Sequence, residues 1–178
     1  MRIRNLYNPF NRIAGGKALV IGLTVLLLTT FIAFKTGTHF NGLLNIDFAK
    51  DSDYWIFLTE NLSSWLFLSI FMYLSALILS KSNIRAIDIL GTTSLARIPL
   101  LSAPLIRLVP AFQSFVIQSW EMYFVYGVYL ISLIWTITLF FNAYKISCNL
   151  KNERLIISFI LSLILSEIFT KIFIAIIV

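Results

Sequence analysis

The sequence predicts an all-α, polytopic membrane bundle of five transmembrane helices, N-in and C-out, forming a single domain over residues 1–178. Three observations carry that expectation: the composition, the spacing of charge-free runs, and the side on which the basic residues fall. Of the 178 residues, 59% are hydrophobic and 12% charged, with a mean hydropathy of +0.90. Soluble domains usually hold about 45–50% apolar and about 25% charged residues. This balance cannot coat a water-facing surface, and it excludes a disordered chain, a disulfide scaffold and an ordinary soluble enzyme. The net charge of +6 does not point to nucleic acid. The basic residues lie in short segments between apolar runs, where cytoplasmic loops carry them, so no nucleic-acid partner is expected.

A helix needs about 20 apolar residues to cross a hydrocarbon core of about 30 Å. The first span, 18–34, is charge-free between Lys17 and Lys35. It offers no small-residue cleavage site at Phe34-Lys35-Thr36, so it is read as a retained span rather than a signal peptide. The second, 61–80, runs between Glu60 and Lys81, and the fourth, 122–144, between Glu121 and Lys145. The fifth, 155–177, contains Glu167 and Lys171. The third, about 90–112, is less apolar and holds Arg97, Arg107, Pro99, Pro104 and Pro110. Pro99 lacks an amide donor and should kink the helix near Arg97-Ile98. Before it, Ile84, Ile87, Leu90/Gly91, Ser94/Leu95 and Ile98 follow helical spacing, with Arg85 and Asp88 off that stripe. The pattern predicts an amphipathic interfacial helix that feeds the span.

Five crossings sort the charges by side. Arg2, Arg4, Arg12, Lys17, Lys81, Arg85, Arg97, Lys145, Lys151 and Arg154 fall inside, with only Asp88 and Glu153 as acids. Lys35, Lys50 and Arg107 fall outside with Asp47, Asp51, Asp53, Glu60 and Glu121. This is the positive-inside distribution, and four spans would place the basic 145–154 loop outside. Tyr54, Trp55, Trp120 and Tyr123 mark the outer interface and Tyr7 and Tyr144 the inner one. The outer loop, 35–60, carries the tight-turn pair Asn41-Gly42. Leu44, Ile46 and Phe48 then alternate with Asn45 and Asp47, which predicts a small hairpin.

Motifs for chemistry are absent: there is no HExxH, CxxC or GxSxG. Gly16-Lys17 lacks both the upstream glycine and the following hydroxyl of a phosphate loop, since Ala18 stands there. No catalytic residue, cofactor or metal is expected. His39 is the one histidine; with Asp47, Asp51 and Asp53 it could in principle hold a divalent cation, but a solvated acidic loop is the plainer reading. Cys148, the one cysteine, reads as a small buried hydrophobe, with palmitoylation as the alternative in a eukaryotic setting.

Charges within spans are functional hypotheses by default. Glu167 lies about 18 Å along its helix from Leu155. It stands four residues before Lys171, the favourable order for a pair on one face, and Lys171 can snorkel outward. Glu167 could instead meet Arg107 or line a polar path. Ser158, Ser162, Ser166 and Thr170 recur every four residues as a packing stripe, as do Ala14, Ala18 and Gly22. Arg97 and Arg107 are only about 15 Å apart along a helix, so both cannot reach water on opposite sides. Arg97 is read as an anchor at the inner headgroups.

The run Leu90-Gly91-Thr92-Thr93-Ser94-Leu95-Ala96-Arg97-Ile98-Pro99 resembles the Yip1-domain family of five-span membrane proteins, particularly its short bacterial members. Asn8-Pro9-Phe10 through Gly15-Gly16-Lys17-Ala18 is similar to the same family's start. The resemblance implies a five-span fold in a bacterial inner (cytoplasmic) membrane, or an ER/Golgi membrane in a eukaryote, and singles out Gly91, Arg97 and Pro99. Eukaryotic members are linked to Rab GTPases through a longer cytoplasmic N-terminus. Only about 17 residues precede the first span here, so that role is not carried over. Two functions are expected. One is a non-enzymatic protein that organises protein or lipid partners through its basic inner face and the 97–99 segment. The other is a small transporter or channel that uses Arg107, Glu167 and Lys171. Membrane lipids, a protein partner or a second copy of the chain are the expected partners.

Overall fold

A computed structural model describes residues 9–49, 52–80, 82–113 and 119–177. Arg2, Arg4, Tyr7, Asn8, Lys50, Asp51 and Lys81, all used above, lie outside the described residues. Among those described, five helical segments are long and apolar enough to cross a membrane: Gly15–Thr36, Tyr54–Leu79, Ala86–Ile106, Trp120–Cys148 and Asn152–Ile177. The chain is therefore an integral, multi-pass membrane protein of the all-α class.

The helices are α1 (Gly15–Thr36), α2 (Tyr54–Leu79), α3 (Ala86–Ala96), α4 (Ser102–Ile106), α5 (Trp120–Cys148) and α6 (Asn152–Ile177), with a short pair β1 (Thr38–His39) and β2 (Asp47–Phe48). Helix α2 starts seven residues before the expected span. Glu60 ends the charge-free run, yet it is only 2% exposed and has partners inside the protein. The charge therefore does not end the helix. The third segment consists of α3, a 3-10 turn over Ile98–Leu101 with Pro99 in its first positions, and α4. It stops at Ile106, short of the expected 112. Val109, which precedes Pro110, is extended at φ −76° and ψ 124°, because a following proline disfavours the helical region.

The expected interfacial helix is where the structure departs most from the sequence reading. Residues 91–97 are all buried, and only Ile87 and Ile98 of the apolar stripe are exposed. Helix α3 packs on α1, α5 and α2. Its composition explains this. The hydroxyls of Thr92, Thr93 and Ser94 donate to carbonyls three or four residues back, so their polarity is satisfied within the helix. Their small size then lets neighbouring backbones approach. A Cβ on Gly22 of α1 would meet the backbone of Ser94 and Leu95, and one on Gly91 would meet the backbone of Gly15 and Leu19. The two helices thus run side by side in the same direction. In the expected stripe on α1, Ala18 and Gly22 are buried, but Ala14 is the exposed N-cap and Gly15 takes its place.

Helix α6 packs chiefly on α2, and its stripe of Ser158, Ser162, Ser166 and Thr170 is buried as expected. Ser75 of α2 joins Tyr144 of α5 at 2.8 Å and Ser162 of α6 at 3.0 Å. Two apolar clusters fill the bundle. One, around Leu68, Met72, Phe140, Tyr144 and the buried Cys148, lies towards one end. The other, around Ala33, Phe40, Phe57, Leu100 and Tyr129, lies towards the end that carries the loop. Arg12, Lys17, Arg85, Lys145, Lys151 and Arg154 are all exposed at the end opposite the loop.

Gly22→Val should force α1 away from α3 and cost about 1–3 kcal/mol, the usual range for overpacking. A lowered thermal midpoint in detergent would report it. Gly127→Ala, where an added Cβ meets nothing within 4 Å, should leave the midpoint unchanged.

Candidate functional site

The loop after α1 begins at Gly37, whose φ of 62° lets it cap the helix by donating its N–H to Ala33 O. β1 then pairs antiparallel with β2, Thr38 opposite Phe48 and His39 opposite Asp47. The two strands form a minimal hairpin, but the connection runs over 40–46 instead of turning tightly at Asn41-Gly42, and Leu44 and Ile46 lie in that connection and not in a strand. Asp47 accepts from the side chains of Asn41 at 2.5 Å and Asn45 at 3.3 Å. The loop is not a solvated excursion, however. Residues 36–40, Gly42, Leu43 and Ile46 are buried, so the chain here folds back into the end of the bundle.

Three ionisable side chains from three different segments hold it there. Glu60 of α2 lies 2.9 Å from His39 Nδ1 through Oε1 and accepts the N–H of Phe40 at 3.0 Å through Oε2. Glu167 of α6 accepts the N–H groups of Leu43 at 2.7 Å and Leu44 at 3.1 Å, both through Oε2. Arg107, fully buried just past α4, donates from Nε to Thr36 O at 3.2 Å and from Nη1 to Phe112 O at 3.3 Å. Its guanidinium also stacks 4.3 Å from the centroid of the Phe48 ring. Burial lowers its pKa from the ordinary arginine value, partly opposed by Tyr126; the group nonetheless keeps its charge.

The residues singled out from sequence thus come together only in part. Glu167 and Lys171 do pair, at 3.3 Å. Glu167's other contacts are loop amides, though, not Arg107. Gly42 leaves the space that the carboxylate fills, since a Cβ there would collide with it. Arg97 is 5% exposed and donates from Nη2 to Asn61 Oδ1 at 3.2 Å. It lies inside the bundle, and the expected headgroup anchor is not what the structure shows. Pro99 is buried in the 3-10 turn, and Gly91 sits in the α1–α3 contact.

The pairing of His39 with Glu60, 21 residues apart, escaped the sequence reading. One signal for it existed. Phe57, Glu60, Ser64 and Leu68 share a helix face at steps of three and four, and all four are buried; a carboxylate in phase with a core face needs a partner. His39 lies flat against Phe57 at 4.1 Å between centroids. A carboxylate only accepts, so Nδ1 carries a hydrogen towards Glu60, and Nε2 is the ring's remaining polar atom. That atom is buried and has no hydrogen-bond partner. With Nδ1 committed to Glu60, and with Asp53 exposed at the start of α2, His39 and the aspartates do not assemble as a cation site among the described residues. Asp51 lies outside those residues.

His39 and Glu60 form part of the wall of an open, cleft-like cavity of about 430 Å³ between the loop, α2 and α6. Asn41, Asp47, Ser52 and Lys171 add polar groups to the wall, and Ile56, Ile174 and Ala175 make it largely apolar. Lys171 therefore borders the cavity, while Arg107 and Glu167 hold the loop that shapes it. No family model, curated protein or solved structure matches this chain.

Hydrogen bonds to a charged group contribute about 1.5–3 kcal/mol each. Glu167→Ala strands the part-buried amide of Leu43 and leaves the exposed amide of Leu44 to water, so it should destabilise the protein by roughly 2–4 kcal/mol and expose 37–49 to protease. Lys171→Ala removes only a half-exposed ion pair and should cost at most about 1 kcal/mol. Equal losses in denaturant unfolding would show that the ion pair, not the loop contact, is what Glu167 contributes.

Proposed function

We propose that this protein is a non-enzymatic, five-span protein of a bacterial inner membrane that binds a small solute from the outer side, as a step of transport. The observation that carries the reading is the cavity beside the His39–Glu60 pair. Its volume of about 430 Å³ falls within the roughly 300–1,000 Å³ of small-molecule sites, which combine apolar walls with a few fixed polar groups. Glu60 fixes the histidine ring, which forms part of that wall, and the ring's second nitrogen is buried without a hydrogen-bond partner. Lys171 and Asp47 supply one charge of each sign. In this reading Arg107 and Glu167 are positioning groups: they hold the loop, and the loop forms the site.

The orientation rests on the sorting of charge. Six of the eight exposed basic residues described, Arg12, Lys17, Arg85, Lys145, Lys151 and Arg154, lie at the end opposite the loop, against Lys35 and Lys171 at the loop end, which supports N-in and C-out with the cavity outside. The same basic end favours a second reading, in which anionic lipid headgroups gather there at about 1 kcal/mol per Lys or Arg near the surface. Arg97 and Pro99, being buried, take no part in such a surface. What supports a Yip1-like relationship is the 90–99 run together with the five-span plan.

Measurements of topology and of solute binding and uptake test the reading. Ala175→Cys should react with a membrane-impermeant thiol reagent added outside intact cells, against a low background because Cys148 is buried. A C-terminal reporter active only in the cytoplasm should stay dark. Ile174→Trp should then fill the cavity and abolish uptake in proteoliposomes screened against a panel of small amines, organic acids and sugars, with the thermal midpoint kept. Absence of uptake and of any ligand-induced thermal shift across that panel in the wild type would overturn the proposal.

A further inference from the structure

We infer that the groove between α2 and α6 seats one acyl chain of an anionic phospholipid, with the headgroup phosphate held at its mouth by Arg154. The groove, of about 280 Å³, is lined chiefly by Phe71, Leu74 and Ile78 of α2 and by Ser158, Leu161 and Leu165 of α6. It begins beside Leu79, where α2 ends, and so opens at the basic end of the bundle. From Ser158 to Leu165 it runs about 10 Å along α6, a length and volume that suit one alkyl chain and not a pair. Leu74, Ile78, Leu161 and Leu165 are exposed on helices long enough to cross a membrane, so the groove is reached from the hydrocarbon. The hydroxyls on its floor are spent within the protein. Ser75 joins Tyr144 and Ser162, Ser162 donates to Ser158 O at 2.8 Å, and Ser158 donates to Arg154 O at 2.6 Å. A methylene chain therefore fills the groove without stranding a donor, whereas a polar solute would gain no partner there.

The charge at the mouth follows from helical register. Arg154, Ser158, Leu161 and Leu165 are spaced by four, three and four residues and form one row along α6. Helical side chains tilt towards the N-terminus of their helix, which carries the guanidinium past the end of the groove to the level of the headgroups. Arg154 and Lys151 are exposed. Among the described residues the ion pairs are His39–Glu60, Arg85–Asp88 and Lys171–Glu167, so neither cation has a carboxylate partner. Glu153, the acid of that turn, points about 100° around the helix from Arg154. The dipole of α6 also places its positive end here. An anionic headgroup complements this arrangement, and a zwitterionic one, which brings a cation of its own, gains less. The site rests on the reading that the basic end draws anionic headgroups, and fixes one position within that end.

The test uses the full-length protein in detergent with a phosphatidylglycerol that carries a photoactivatable group in mid-chain, and a phosphatidylcholine with the same chains. Cross-links should map to 71–79 and 158–165, with the phosphatidylglycerol reaching half-labelling at the lower concentration. Arg154→Gln should raise that concentration about fivefold, as expected of one arginine near an anionic surface, and Arg154→Lys should restore most of the difference. Lys17→Gln, which removes a charge from the same end outside the groove, should change nothing. Leu161→Trp, which fills the groove from an exposed position, should remove the cross-links and keep the thermal midpoint. Cross-links scattered over the exposed faces of α1 and α5, or retained in Leu161→Trp, would overturn the site. So would an unchanged preference for phosphatidylglycerol in Arg154→Gln, which leaves the lipid reading of the basic end standing. Equal labelling by the two lipids in the wild type would overturn both.

Discussion

The loop end of the bundle depends on two carboxylates, each accepting from the backbone of the same loop. Irregular backbone folded into a membrane protein has lost its water, and each amide it buries must find an acceptor within the chain. Residues 37–49 could not meet that demand from a two-residue hairpin alone. Glu60 and Glu167 supply the missing acceptors for Phe40, Leu43 and Leu44. Arg107 supplies donors for carbonyls left over where α1 and the 3-10 turn at 110–112 end. The charges thus cost little to bury, because each is spent on hydrogen bonds that the fold requires. The cavity, the orientation of His39 and the position of Lys171 all follow from where the loop is held.

Helix by helix, the fold was legible wherever lipid alone sets the rule. Four runs of about 20 apolar residues read directly as crossings, and the stripe of Ser158, Ser162, Ser166 and Thr170 gave the face on which α6 packs. The third segment was harder because its surface is written in hydroxyls. Thr92, Thr93 and Ser94 look polar in a sequence, yet each returns its hydrogen to its own helix, and what remains is a small, apolar face suited to close packing on Gly22 and Ala18. A pattern that reads as a helix lying at the interface is therefore the most enclosed part of the bundle.

The site was less legible than the fold, for a related reason. Sequence reasoning pairs charges with charges, and it sought Glu167 beside Lys171 or Arg107. Only the first of those pairs forms, and the stronger partners of Glu167 are backbone amides more than 120 residues away in the chain, which leave no trace in residue type. His39 and Glu60 are visible as residues, but an acidic outer loop reads as solvated, and a solvated loop gives a histidine no reason to meet a carboxylate. The one usable sign was the phase of Glu60 on α2, in step with Phe57 and Leu68.

The packing also divides the helices in a way that bears on how a solute would act. The third segment is tied to α1 at both ends, through Gly91 against Gly15 and Leu19 and through Arg107 on Thr36 O. Helix α6 is tied chiefly to α2. The loop continues from α1, yet its amides are held by Glu60 of α2 and Glu167 of α6. It therefore straps the two groups together at the end where the cavity opens. Under the proposed reading, a solute seated among His39, Asp47, Ile174 and Lys171 would touch the loop and α6 at once and press on the contacts that join the groups. Binding energy spent there would act on the strap before it acted on the tightly packed α1–α3 face. Replacing Glu60 or Glu167 should therefore alter solute affinity through the loop, whereas changes at Gly22 or Gly91 should act through stability alone.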